Sequence, residues 1–229
     1  MDLANAGWLL LLSVVPFCAA DWALTRVGVA SPYYLLHTIH NVGVVALTWP
    51  DVVHTFTDFH VLGAYPVNTS AVALVVALHL YHILMYRASL RFDDWLHHAL
   101  MIALAIPVGL AASGETPLMG FSLFFATGLP GAVSYASLFL QRNGFLGRLT
   151  EKGVNTAMNV WIRAPGCAGH AALTAAWALS AGGVGAPTAW MRGLALLPAV
   201  LMYWNGQYFM QQAVADYARR CLEELRHEV

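Results

Sequence analysis

Along most of this chain the polar positions act as punctuation between long apolar runs. Continuous apolar stretches recur at approximately 7–25, 33–50, 68–86, 95–113, 117–140, 157–181 and 187–212. Each is close to the ~20 residues a helix needs to cross a hydrocarbon core. Short connections rich in turn-forming residues separate them. The runs are uninterrupted rather than alternating in every second position, and backbone groups in hydrocarbon must be satisfied within the segment, so the pattern predicts helices and not barrel strands. The expected fold class is therefore all-α: a polytopic membrane helix bundle with about seven transmembrane helices. Composition agrees. Of 229 residues, 59% are hydrophobic and only 10% charged, against about a quarter charged in an ordinary soluble domain. Between the apolar runs no stretch is long enough for a separate soluble domain.

The first run, Trp8 to Ala20, has the length of a signal-peptide core, but Asp2 is the only charge before it and no basic residue precedes it. It reads as a retained first span. Basic residues fall in alternate connections: Arg26 after the first span, Arg87 and Arg91 after the third, Arg142, Arg148 and Lys152 after the fifth, and Arg219, Arg220 and Arg226 after the seventh. The other connections carry Asp51 and Asp58, then Glu115, then the uncharged stretch 182–187. This asymmetry predicts a lumenal or outside N-terminus and a cytosolic C-terminus, with Arg192 as the exception. A glycosylation sequon at 68–70 falls on the lumenal side, very close to the membrane. The formal charge of −1 offers no basic face, so nucleic acid is not an expected partner. Cys18, Cys167 and Cys221 lie far apart in sequence, without the paired spacings of a metal site.

The sixth segment places Asn155, Asn159 and Arg163 on one helical face, followed by Pro165-Gly166 as an expected break. Its first part reads as interfacial, with Arg163 reaching toward headgroups. The tail 215–229 mixes both charge signs and reads as a solvated helix end.

Ten histidines are many for such a chain, and six come in close pairs: His37/His40, His79/His82 and His97/His98. An unpaired polar group in hydrocarbon costs several kcal/mol, about 2–7 for an amide or hydroxyl. These side chains should therefore face the bundle interior or a wet cavity. Spacing of i, i+3 puts His37 with His40, and His79 with His82, on shared faces; Tyr86 extends the second stripe. Asn41 adjoins the first, and Gln207 with Gln211 forms a further polar face on the last span. Hydrogen bonding between neighbouring helices would account for any single pair. Asp94 and His98 are four apart, so the carboxylate can lie over the imidazole and raise its basicity, as a general base requires. Asp93 and Asp94 also suit a helix N-terminus.

The stretch 78–107, "LHLYHILMYRASLRFDDWLHHALMIALAIP", resembles the central part of TLC-domain membrane proteins. There a span ends in a Tyr/Arg-containing cytosolic loop and the next span opens with D-x-x-H-H, matched here by Asp94, His97 and His98. The resemblance implies a six-helix unit preceded by one extra helix: 1–30 as an N-terminal transmembrane helix, 31–215 as the TLC-like domain and 216–229 as a cytosolic tail. It also implies a membrane lipid as partner, with location in the endoplasmic reticulum or another endomembrane. Ceramide synthases, the enzymes of that family, would use the histidine pair for acyl transfer from acyl-CoA. They carry acidic residues in the following span, whereas 120–144 here contains none, which places the resemblance with the non-synthase branch. In that span Gly128-Leu129-Pro130-Gly131 is an expected helix break.

The leading expectation is a protein that binds or modifies an acyl lipid in an internal histidine-lined cavity. His97, His98 and Asp94 would be catalytic if it is an enzyme, and His37, His40, Asn41, His79, His82, Tyr86, Gln207 and Gln211 would line the ligand. No metal and no resident cofactor is assigned. A metal-dependent lipid oxidase is an alternative, although histidine-box spacings are missing. A non-catalytic transporter, channel or receptor is another. A retinal-type pigment is disfavoured because the only lysine, Lys152, falls in an expected cytosolic loop.

Overall fold

Each apolar run forms a helix. In the computed structural model, which describes residues 3–59, 61, 65–114, 116–180 and 188–227, these are α1 (Leu3–Arg26), α2 (Pro32–Thr57), α3 (Thr69–Tyr86), α4 (Phe92–Ser113), α5 (Leu118–Arg142), α6 (Arg148–Met158, Asn159–Arg163 and Ala164–Leu179 in one run) and α7 (Ala189–His227). Among the described residues the chain is all-α. Among the described residues three helices, α3, α4 and α5, are long and apolar enough to cross a membrane. Glu115 and the connection 182–187 lie outside the described residues.

The short connections make successive helices antiparallel, so Arg26, Arg87, Arg91, Arg142 and Arg148 gather at one end, here called the basic end. There Asn143 donates to the Ala30 carbonyl at 3.2 Å, tying the α5–α6 turn to the α1–α2 turn. At the opposite end the Val67 amide reaches the Gly114 carbonyl. α1 packs on α3, α2 on α5 and α3, and α6 on α7; α4 meets α7 through Ile106–Ser113.

Several boundaries differ from those read in sequence. α2 runs on to Thr57, so Asp51 is not in a connection but buried inside the helix, where its side chain abuts Gly120 of α5. Lys152 is helical and pairs with Glu151 and Asp216 at 3.3 and 3.0 Å. Neither expected break occurs. α4, α5 and α6 each contain a five-residue π-helical turn, Met101–Ala105, Phe124–Gly128 and Asn159–Arg163, and each turn ends two residues before a proline: Pro107, Pro130 and Pro165. Proline has no N–H and its ring crowds the carbonyl four residues back. Widening the preceding turn relieves that clash without ending the helix.

Two apolar clusters fill the half of the bundle away from the basic end, and a smaller one, Leu36, Leu78 and Tyr81, packs α1, α2 and α3 together near that end. One cluster joins Val44, Val75, Ile106, Met119 and Leu123 from α2, α3, α4 and α5; a second joins Ala112, Leu118, Trp177 and Ala195 from α4 to α7. Close helix approach depends on Gly206 of α7, where an added Cβ would lie 2.7 Å from Cys167 Cβ and 3.2 Å from Ala164 Cα on α6. We expect Gly206→Ala to destabilise the protein by about 1–3 kcal/mol, seen as a lower melting temperature. Gly193→Ala, on the same helix with open space around it, should leave stability unchanged or slightly raised. Equal behaviour of the two variants would contradict this packing.

Candidate functional site

Toward the basic end the apolar filling gives way to a cavity of about 590 Å³ between α2, α3, α4, α5 and α7. α3 supplies His79 and His82, and α4 supplies His97 and His98. Tyr33 and His37 come from α2, Thr127 and Tyr135 from α5, and an apolar and aromatic wall including Met202, Trp204, Tyr208 and Phe209 from α7. Leu96 of α4 and Trp204 and Tyr208 of α7 both line the cavity and are exposed, so it opens to the outside between those helices.

Four imidazoles form its polar corner. His98 Nε2 lies 3.1 Å from His82 Nδ1. The His79 ring stands 5.4 Å from that of His97, nearly parallel, and 5.1 Å from that of His98, edge-on. Local hydrogen bonds set the protons. His79 Nδ1 lies 2.8 Å from the Val75 carbonyl and His37 Nδ1 2.8 Å from the Tyr33 carbonyl. A carbonyl only accepts, so each Nδ1 carries a proton and each neutral ring keeps Nε2 as an acceptor. His82 Nδ1 faces the Tyr33 hydroxyl at 3.4 Å and His98 Nε2 at 3.1 Å, and one of the two imidazoles donates the proton between them. His98 Nδ1 is buried and has no hydrogen-bond partner.

Not every expected residue joins it. Asp94 lines the cavity mouth but does not lie over His98: its carboxylate accepts from the Arg91 backbone N–H at 2.9 Å, closing the start of α4, and sits 3.7 Å from Arg91 Nε. The helix terminus offers it unpaired N–H groups nearer than the imidazole, and His82 takes over the orientation of His98. His40 is buried away from the cavity, with Nε2 on the Leu74 carbonyl and Nδ1 on Asn41 Oδ1. Asn41 is likewise internal and accepts from Thr127 at 3.1 Å. Gln207 and Gln211 do not line the cavity; Gln212 does.

Tyr86 has a different partner. With Tyr81 it donates to Asp21 Oδ2 of α1, Tyr86 at 2.6 Å. Asp21 is only 5% exposed, so this is an internal latch holding α1 to the end of α3. The Tyr86 ring in turn packs 5.1 Å from that of Tyr33, the residue facing His82. Sequence reasoning missed Asp21, because a single aspartate at the end of an apolar run looks like ordinary interfacial punctuation. Tyr33 and Tyr135 were missed for want of a periodic signal. Trp204 and Tyr208 do stand four apart, but two aromatic residues at that spacing on a membrane helix read equally well as a lipid-facing stripe.

Arg163 does not reach outward as expected. Its Nε donates to the Ala126 carbonyl of α5 at 3.0 Å, its Nη1 to Asn159 Oδ1 at 2.7 Å, and its guanidinium lies 5.1 Å from the Phe209 ring centre. Pro130, four residues beyond Ala126, has no N–H to offer that carbonyl, which leaves it open to the arginine.

Among the described residues, no group of three or more His, Cys, Asp or Glu is arranged to hold a metal ion. Comparison with protein-family models, with curated proteins and with solved structures finds no match to this chain.

The latch makes a direct prediction. Asp21→Ala leaves two buried phenol hydroxyls without their acceptor, a cost of about 1–3 kcal/mol, and should lower the melting temperature; Asp21→Asn, which keeps a carbonyl oxygen, should lose less. Identical stability of Asp21→Ala and the parent protein would remove the latch.

Proposed function

We propose that this chain is a multi-pass membrane protein of TLC type that holds an acyl lipid in the cavity, polar end at the histidines and alkyl part along α7. The observation that carries the reading is the division of one chamber into a corner of four imidazoles and a wall of Leu, Met, Trp and Phe side chains. That amphipathic lining matches an amphiphile, and its volume lies within the range of about 300–1,000 Å³ typical of small-molecule sites. The opening beside Leu96 and Trp204 gives an apolar ligand a route that avoids water. All seven helices cross the bilayer in this reading, with the basic end cytosolic, as the basic residues require.

If the protein is also an enzyme, His98 is the base or acyl acceptor, His82 orients it, and acyl-CoA is the acyl source that the TLC resemblance implies. His97, exposed at the cavity edge, would meet the ligand first.

The test is native mass spectrometry of the full chain released from detergent. The parent protein should retain a bound amphiphile. His82→Ala combined with His98→Ala should reduce occupancy about tenfold or more, the equivalent of one or two lost hydrogen bonds to the ligand. Absence of any bound amphiphile from the parent protein, or unchanged occupancy in the double variant, would refute the reading.

A further inference from the structure

Arg163 differs from the cations that pair with carboxylates. Arg91 is matched by Asp93 and Asp94, and Lys152 by Glu151 and Asp216. Arg163 has only neutral partners: a backbone carbonyl, an amide oxygen and an aromatic face. Among the described residues no carboxylate lies within ion-pair distance of it. A guanidinium inside a bundle without a counter-charge costs several kcal/mol, and an ionisable group kept in such a place marks a functional position. Its surroundings say which one. Phe209, beneath the guanidinium, and Thr127, next to the Ala126 carbonyl it binds, are both cavity wall. Its positive charge therefore sits just behind the lining of the chamber.

We propose that Arg163 supplies the counter-charge for an anionic oxygen on the ligand's headgroup, a carboxylate or phosphate, so that the cavity selects acidic amphiphiles over neutral ones. This rests on the lipid-cavity reading above and names the headgroup class. Two of the guanidinium's N–H groups hold it in place, on Ala126 and Asn159, so its charge is fixed behind the wall and acts on the headgroup across it. The wide turns before Pro130 and Pro165 serve the same end, since one frees the acceptor at Ala126 and the other carries Asn159 and Arg163 themselves.

The test compares three probes on the full chain in detergent at neutral to mildly alkaline pH: hexadecanoate, hexadecan-1-ol and acetate. Hexadecanoate should bind the parent protein about tenfold or more tighter than the alcohol, as expected for attraction to a nearby uncompensated cation. Arg163→Gln should abolish that preference while still binding the alcohol, and Arg163→Lys should keep part of it. Equal affinity of acid and alcohol for the parent protein overturns the inference and leaves the lipid cavity standing. Acetate that displaces hexadecanoate at comparable concentration also overturns it, because the site would then hold a free anion. Binding of neither amphiphile removes the lipid reading and the inference together. The acid-against-alcohol comparison on the parent protein needs no variant, so a folding defect in Arg163→Gln leaves the test intact.

Discussion

Inside hydrocarbon a polar side chain has no water to turn to, so each must find a partner within the protein or face a space that a ligand or water can fill. That constraint organises this bundle. Where polar groups can be closed off internally, helices are fastened together: Asp21 with Tyr81 and Tyr86, His40 with Leu74, Asn41 with Thr127. Around His79, His82 and His97 the packing opens into a chamber, while a few buried atoms elsewhere, Asn41 Nδ2, Asp51 Oδ2 and His170 Nδ1 among them, have no hydrogen-bond partner within the protein. The larger apolar clusters of Val, Leu and Ile lie away from the basic residues, and the histidine-lined cavity lies near them, beside a smaller apolar cluster of Leu36, Leu78 and Tyr81.

The prolines set how that cavity is walled. Six helices carry a proline in mid-course; α4, α5 and α6 widen by one π turn just ahead of it, which keeps the helix continuous while shifting side chains around the axis, whereas α1, α2 and α7 pass Pro16, Pro50 and Pro198 as plain α-helix. Two residues of the α4 turn, Met101 and Ala105, and one of the α5 turn, Thr127, face the chamber. The carbonyl that Pro130 cannot use becomes the anchor for Arg163. Backbone irregularity, buried charge and cavity shape are therefore linked through a residue that lacks one N–H group.

Much of this was legible in the chain. The seven helices follow from apolar run length, and the i, i+3 spacing of His79 and His82 together with the adjacency of His97 and His98 is enough to bring four rings toward one site. Position along a helix was harder to read than face. His40 shares a face with His37 yet spends both nitrogens inside the protein, because Leu74 and Asn41 happen to stand opposite. Asp94 was drawn to the helix start rather than to His98, since the Arg91 amide and guanidinium there outcompete one imidazole. The two expected breaks at proline failed because a π turn is invisible to residue patterns, and the inward course of Arg163 depends on that turn.

The most direct measurement is a density map of the full chain in a lipid nanodisc. The account predicts an elongated feature in the chamber, its polar end within hydrogen-bond reach of the imidazoles of His79, His82, His97 and His98, and its tail running past Trp204 toward the opening beside Leu96. Rings of α3 and α4 turned outward to bilayer lipid, or a chamber closed by side chains with no room for a ligand, would contradict it.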